Sequence, residues 1–228
     1  MNGFSVCVFA ASTALLASTA WAAPMHERVR GTDAGVSGHI LTVRTMGGVE
    51  VPVVLRSATR YLEVKKSSLG HVQPGSYIGT AAKSIGNTLV ALEVVVFPPS
   101  MRGTGEGHYS WDRLPDSTLA GHATTATTMT NGTVSAAMPA LRSVNSTMTN
   151  GTVGNVTEAG GAKQITVTYK GGRRAIIVPP TAPVVTYLPG SESELKQGKY
   201  VFVNGLSEDG KVIAASVAVG IDGVKPPM

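Results

Sequence analysis

The stretch Leu41-Thr-Val-Arg-Thr-Met-Gly-Gly48 decides the fold class of this chain. Its apolar and polar residues alternate with a period of two, which is typical of a half-buried β-strand. The glycine pair that follows supplies the positive φ angles that a tight hairpin turn needs. The same order returns 124 positions later as Ile165-Thr-Val-Thr-Tyr-Lys-Gly-Gly172. One strand-and-turn unit therefore occurs twice.

Further landmarks repeat in the same order around these two stretches. Each hairpin turn is followed by a returning strand, a short strand, one helical turn, a loop glycine (Gly75 and Gly198) and two more strands. In the second copy, Ser191 and Glu194 have the spacing of a helix-capping box. About five short strands with one helical turn before the fourth favour a small OB-like barrel.

The sequence thus predicts an all-β protein of two tandem, small, OB-like five-stranded barrels joined by a Gly/Thr-rich linker. The expected organisation is a signal peptide over residues 1–22, a first β domain over 26–98, a motif-bearing loop and Ser/Thr-rich linker over 99–151, and a second β domain over 152–228. Domains this small are marginally stable alone. We therefore expect the barrels to pack on each other, or the middle stretch to pack across both.

The first residues predict export. An apolar run from Phe4 to Leu16 precedes Ala20-Trp-Ala22, which fits the small-x-small rule for cleavage after Ala22. A membrane anchor or a buried helix is the alternative, but the run is short for a span of about 20 residues. The only cysteine, Cys7, lies inside the run, and Ala23 follows the cut where a lipoprotein would need a cysteine. We expect a periplasmic protein that has no disulfide, is not a lipoprotein and has no later transmembrane segment.

A Thr-rich spacer separates the two blocks. Residues 117–152 hold few charges, and the heptapeptide Thr-Met-Thr-Asn-Gly-Thr-Val occurs at 128–134 and again at 147–153, where the spacer ends. Such composition does not bury a core by itself. We predict that residues near 117–150 are mobile, and that one heptapeptide is the lead-in to the second block while the other is an insertion.

The chemically densest stretch, Met101-Arg-Gly-Thr-Gly-Glu-Gly-His-Tyr-Ser-Trp-Asp112, joins the two blocks. Its candidate ligand-binding residues are Arg102, Glu106, His108, Tyr109, Trp111 and Asp112. Imidazole and carboxylate ligands suit Zn, Mn or Ni, so Glu106, His108 and Asp112 are candidate metal ligands, with His122 as a possible fourth. The spacing matches no closed zinc motif.

Two other interpretations of this stretch remain open. It can be a structured loop in which Tyr109 and Trp111 plug a barrel end, or it can hold a ligand other than a metal. No nucleophile elbow and no phosphate-binding loop occur in the chain, so no catalytic residue is assigned. The chain carries a net charge of +5 but no long basic run, and Lys170, Arg173 and Arg174 cluster at a single hairpin tip. Nucleic acid is therefore not an expected partner.

Several motifs resemble a known family. They are Pro-Gly-x-x-x-Gly-Thr-Ala-Ala at 74–82, Ala-Leu-Glu-Val-x-x-Phe-Pro at 91–98, Gly-Glu-Gly-His-Tyr-x-Trp-Asp at 105–112, and Val-Pro-Pro-x-Ala-Pro-Val-Val-Thr at 178–186. The chain resembles a family of uncharacterised exported proteobacterial proteins with tandem OB-like domain-of-unknown-function repeats. Relatives often carry the automatic label "metal ABC transporter permease". A permease needs several long apolar helices, which the sequence does not contain.

Together these features predict a non-enzymatic periplasmic binding or envelope-associated protein. Its expected partner is an envelope protein or a small ligand, and no cofactor is expected apart from the divalent metal considered above. The alternative function is a metal-binding accessory protein that uses the Glu106, His108 and Asp112 loop.

Overall fold

The computed structural model describes residues 25–119, 143–208 and 210–226 of the chain, and it is an all-β structure. The predicted signal peptide, His122 and the heptapeptide at 128–134 lie outside the described residues. The strands are β1 Met25–Ser37, β2 Ile40–Thr45, β3 Glu50–Val54, β4 Arg60–Lys66, β5 Tyr77–Ile85, β6 Thr88–Val96, β7 Gly107–Ser110, β8 Leu114–Pro115, β9 Ser143–Val144, β10 Thr147–Ala159, β11 Ala162–Tyr169, β12 Gly172–Val178, β13 Val184–Pro189, β14 Tyr200–Glu208 and β15 Lys211–Gly220. Short 3-10 turns occupy Leu69–His71, Pro99–Met101, Ser117–Leu119 and Glu192–Glu194.

The apolar positions of the alternating pattern that predicts strands are the positions that are buried in the structure. Leu41 and Val43 of β2 are fully enclosed, as are their counterparts Ile165 and Val167 of β11. The intervening threonines and basic residues lie outside. The all-β class predicted from this period is confirmed.

The strands close two rings. Ring 1 runs β1-β2-β3-β15-β14 and returns to β1, with β3 and β15 parallel and all other neighbours antiparallel. Ring 2 runs β10-β11-β12-β6-β5 and returns to β10, with β12 and β6 parallel. Each ring therefore takes three strands from one sequence block and two from the other.

Two crossing strands join the rings into one mixed sheet. β4 pairs parallel with β15 of ring 1 and antiparallel with β13, and β13 pairs parallel with β6 of ring 2. The expectation of two tandem barrels, each built by its own block, is corrected by this topology. β4 is paired along both edges, and the strands that follow it, β5 and β6, belong to ring 2. Equivalent strands of the two blocks offer the same partners, so the exchange keeps every pairing.

Two glycines mark equivalent points of the rings. A Cβ on Gly31 would lie 2.1 Å from the carbonyl oxygen of Arg44, and one on Gly151 would lie 2.3 Å from that of Thr168. A side chain at either place would overlap the neighbouring strand. These positions admit only glycine because β1 and β10 approach β2 and β11 so closely.

Three apolar cores follow from this arrangement. Ring 1 and ring 2 each enclose one, built mainly of Val, Ile, Leu and Ala. The third lies between the rings and is the most aromatic, with Tyr187 and Phe202 buried in it and Phe97 and Trp111 packed against it. The middle stretch of the chain thus helps to cover the contact between the rings.

Two local expectations are also corrected. Residues 147–150, placed in the mobile spacer, form the first part of β10, where Met148 and Thr149 are enclosed. Strand pairing with β5 on one side and β7 on the other gives these polar residues the partners that composition alone does not reveal. Ser191 makes no capping hydrogen bond to the 3-10 turn and contacts Ser193 instead.

In the part of the chain that the structure describes, no helix has the length and apolar character of a membrane span.

Candidate functional site

The stretch 101–112 lies across both rings. β7 pairs with residues 147–150 of β10 in ring 2. Asp112, two residues after β7, accepts hydrogen bonds from Arg28 and Arg30 of β1 in ring 1. The stretch therefore ties the two rings together, as its place between the two blocks predicts.

Asp112 anchors this connection through charge. The Arg28 Nη2 and Nε atoms lie 2.7 and 3.0 Å from Asp112 Oδ1, and Arg30 Nη1 bonds to Asp112 Oδ2. Burial acts to raise the pKa of Asp112, but the hydrogen bonds and charges of the two arginines outweigh it and leave the pKa below the usual aspartate value. The carboxylate is ionised at neutral pH and holds the loop on ring 1.

Trp111 is packed between this ion pair and the third core. The Arg28 guanidinium lies 4.0 Å from the Trp111 ring, a cation–π contact. On the loop side, the Tyr109 ring meets the indole nearly edge-on, with centroids 5.9 Å apart. Both aromatic rings are therefore fixed by neighbours on two sides.

A cleft of about 160 Å³ opens between the rings beside Tyr109 and Trp111. Its walls are mostly apolar or aromatic and come from the loop, both rings and both crossing strands. The lining residues are Leu62, Phe97, Met101, Thr104, Gly105, Tyr109, Trp111, Met148, Asn150, Tyr187, Phe202, Asn204, Ser216 and Ala218. A concave, mainly apolar site with a few polar groups is typical of small-molecule binding.

Two polar atoms of the cleft lining are enclosed and have no hydrogen-bond partner among the described residues. They are Asn150 Oδ1 and Trp111 Nε1. The Asn150 amide orientation is set by its Nδ2, which donates to the Gly105 carbonyl oxygen at 2.9 Å and lies 3.2 Å from the Tyr109 hydroxyl. Two residues of the lining thus each hold one enclosed polar atom, an acceptor on Asn150 and a donor on Trp111, that the protein leaves unused.

A second, larger cavity of about 530 Å³ lies on another side of Trp111. Its lining is more polar and includes Lys83, Asn145 and Ser146. Lys83 Nζ is held at 2.6 Å by both Asp116 Oδ2 and Thr118 Oγ1. Trp111 forms part of the lining of both cavities.

The three candidate metal ligands have separate partners. His108 Nδ1 lies 2.8 Å from Thr149 Oγ1, and Glu106 Oε1 accepts a hydrogen bond of 2.8 Å from the Lys170 backbone N–H. Asp112 is engaged by the two arginines. Within residues 25–119, 143–208 and 210–226, no three His, Cys, Asp or Glu side chains are grouped closely enough to hold a metal ion.

His108 also rests against ring 2. Its imidazole stacks on Tyr169 with centroids 6.2 Å apart. Burial, and then the nearby charge of Arg174, lower the pKa of His108. The imidazole is neutral at pH 7 and serves to position β7.

Arg102 fixes the start of the loop. Its Nη2 donates to the Gly75 carbonyl oxygen at 2.7 Å, and its Nη1 lies 3.1 Å from Thr152 Oγ1. The Tyr77 hydroxyl donates to the Thr104 carbonyl oxygen at 3.0 Å, and burial, together with the charge of Glu106, raises the pKa of Tyr77 to about 12. Arg102 is thus a positioning residue rather than part of the cleft.

Sequence reasoning missed Glu93, Arg30 and Asn150. Glu93 Oε1 and two nitrogens of Arg30 are enclosed without a hydrogen-bond partner in the described part of the chain. Burial raises the pKa of Glu93 to about 8, the charge of Arg30 opposes the rise, and Asp112 adds to it. A signal was present for Glu93 alone, because it is the single charge in the apolar run 89–97.

Comparison of the chain with protein-family models, with curated proteins and with solved structures finds no match.

Proposed function

We propose that this protein is a non-enzymatic periplasmic binding protein whose ligand occupies the cleft between the two rings. One observation carries the proposal. The cleft has a mostly apolar lining, and two of its lining residues hold an enclosed acceptor, Asn150 Oδ1, and an enclosed donor, Trp111 Nε1, that have no partner among the described residues. Buried polar atoms in proteins are nearly always hydrogen-bonded, so a pair of unused ones at a cleft favours a bound molecule.

The finer fold assignment belongs to the same proposal. In each ring, three consecutive antiparallel strands are closed by two further strands, and the third strand runs parallel to the last. This order supports two OB-like five-stranded barrels that have exchanged their last two strands. The cleft then lies where the outer faces of the barrels meet, which is a frequent place for a ligand site.

The size and chemistry of the cleft limit the ligand. An apolar cavity of about 150 Å³ holds a molecule the size of benzene, and this cleft is of similar volume. A donor on the ligand would satisfy Asn150, and an acceptor would satisfy Trp111. A small neutral molecule with one ring and one hydroxyl or amide group meets both conditions.

The loop side chains support a binding role over a catalytic one. His108, Glu106 and Asp112 are each engaged by a partner within the protein and hold the loop in place. General acid–base work needs a group within reach of the substrate. None of these three side chains lines the cleft.

Titration of the exported chain with toluene and with benzyl alcohol tests the proposal. Trp111 is the only tryptophan outside the predicted signal peptide, so its fluorescence reports on its surroundings without interference from a second tryptophan. We expect both probes to change the fluorescence, and benzyl alcohol to bind more tightly because its hydroxyl can pair with Asn150.

A cleft-filling variant provides the control. Ala218→Leu places a larger side chain in the cleft, whereas Ala175→Leu makes the same change on the exposed surface of β12. Binding should be lost in Ala218→Leu and kept in Ala175→Leu. If neither probe changes the fluorescence or the melting temperature of the parent chain, the cleft is not a ligand site.

Export is tested separately, by finding Ala23 at the amino terminus of the periplasmic protein.

A further inference from the structure

The two rings differ at one pair of equivalent strand edges. Asp33 of β1 and Val153 of β10 correspond, since each bonds through its backbone to the matching loop, at Gly198–Lys199 and at Gly75–Ser76 respectively. Residues 27–30 of β1 therefore correspond to residues 147–150 of β10. The edge of β10 over 147–150 is covered by β7. No described strand pairs with residues 25–30 of β1 on the side away from β14, because β2 joins β1 only from Gly31 onward.

Backbone periodicity shows which groups face this edge. Asp33 directs its N–H and carbonyl oxygen towards the β14 side, so every second residue before it does the same. The N–H and carbonyl groups of His26, Arg28 and Arg30 consequently point to the uncovered edge. The counterpart in ring 2 agrees, because Ser146, which corresponds to His26, accepts a hydrogen bond of 2.9 Å from the Trp111 N–H.

We propose that residues 25–30 of β1 form a docking edge that accepts an extended, acidic peptide segment of a partner protein as an added antiparallel strand. β7 serves as the internal precedent, since an extended segment already occupies the equivalent edge of ring 2. Strand addition of this kind draws its affinity from main-chain hydrogen bonds and its selectivity from alternate side chains.

Charge selects the acidic partner. Successive side chains of a strand project to opposite faces, so His26, Arg28 and Arg30 share one face while Glu27 lies on the other. On that face the two arginines share a single carboxylate, Asp112, which leaves one positive charge in excess. A carboxylate on the added strand would neutralise the remaining positive charge.

A second copy of this chain is the weaker occupant. Antiparallel pairing of residues 25–30 with themselves places Arg28 opposite Arg28, or, one register away, Glu27 opposite Glu27. Like charges directly opposite each other destabilise a strand pair. The edge is therefore suited to a different chain.

Amide hydrogen exchange tests whether the edge is open. In the free protein, we expect the Arg28 and Arg30 amides to exchange at least about 100-fold faster than those of Met148 and Asn150, their covered counterparts, because an unpaired strand edge exposes its N–H groups. Equal protection of the two pairs would mean that the edge is already occupied and would overturn the proposal.

Binding is tested with the peptide acetyl-Thr-Asp-Val-Asp-Thr-amide and its matched lysine peptide, in which both Asp are Lys. We expect the acidic peptide to slow exchange of the Arg28 and Arg30 amides about 10-fold or more at saturation, and the lysine peptide to have no effect. His26→Pro removes one edge N–H and should weaken binding, while His26→Ala should not. Equal binding of both peptides, no binding of the acidic peptide, or full binding to His26→Pro would each overturn the proposal. These results are independent of ligand binding in the cleft.

Discussion

Glu93 makes the stability of this protein depend on pH in an unusual direction. Its side chain lies within the electrostatic influence of Arg30 and Asp112, and its enclosed Oε1 has no hydrogen-bond partner among the described residues. Burial raises its pKa from 4.5 to about 8. Because the folded-state pKa lies above the unfolded value, the fold favours the protonated acid. This contribution to stability is complete below about pH 4.5 and is lost as the pH rises to about 8.

The Glu93→Gln substitution removes this loss, because the amide is close in shape to the protonated acid and does not ionise. A pKa difference of this size corresponds to roughly 5 kcal/mol at about 1.4 kcal/mol per unit. Between pH 5 and pH 7 the variant should therefore gain up to about 3 kcal/mol over the parent in the free energy of unfolding. Near pH 4 the two proteins should differ little in this respect.

Urea unfolding at pH 4, 5, 6, 7 and 8, followed by Trp111 fluorescence, measures the difference between the two proteins. Glu50→Gln is the matched control, because Glu50 is half exposed and pairs with Arg44 at the surface. Such a pair contributes at most about 1 kcal/mol. The reasoning fails if the advantage of Glu93→Gln does not change with pH. It also fails if the variant loses stability as the pH rises, since that would show an ionised Glu93 paired with Arg30.

Three other predictions follow from the contacts between the rings. Asp112→Asn should lower the free energy of unfolding by about 1–3 kcal/mol at pH 7, because Arg28 and Arg30 lose the charged acceptor of their hydrogen bonds. Since the pKa of Asp112 lies below its unfolded value, this difference should shrink as the pH falls below about 4, and a constant difference in urea unfolding from pH 3 to 7 would contradict it. Gly151→Ala should destabilise the protein by about 3 kcal/mol or more, because the new Cβ would overlap a carbonyl oxygen. Gly154→Ala, whose Cβ would have no atom nearer than 3.7 Å, should lower the melting temperature far less. Equal effects of the two substitutions would refute the close approach of the strands. After proteolytic cleavage within 120–142, the fragments that contain 25–119 and 143–228 should elute as a 1:1 complex in size-exclusion chromatography, because each ring contains strands of both fragments. Separation of the fragments without denaturant would argue against the exchange of strands.

Local sequence is sufficient to predict most of the strands because the residues that indicate a strand or a turn lie close together in the chain. Period-two alternation at Leu41 and Val43, and glycine pairs at the turns, act within a few residues of each other. β7 and the first half of β10 escaped prediction for the opposite reason. Thr149 and Asn150 look like spacer residues until their partners in β5 and β7 are known.

The structure places only part of the predicted stretch at the cleft. Tyr109 and Trp111 line the cleft. The sequence predicts both as candidate residues because charged, imidazole and aromatic side chains are concentrated in residues 101–112 of a chain that has few of them elsewhere. Arg102, Glu106, His108 and Asp112 belong to the same stretch, but their side chains hold the loop on the rings. The unused acceptor on Asn150 could not be predicted, because it depends on where the amide donates its hydrogens.

By itself, the sequence determined the all-β class, the repeated order of strands and the place of the chemically dense stretch between the repeats. Only the tertiary structure decided which strands share a ring. Two equivalent blocks offer identical partners, so the pattern of residues is equally compatible with closure within a block and with exchange between blocks. The course of β4 and β13, each paired along both edges, decides for exchange. The cleft exists because that exchange brings the outer faces of both rings together around Trp111.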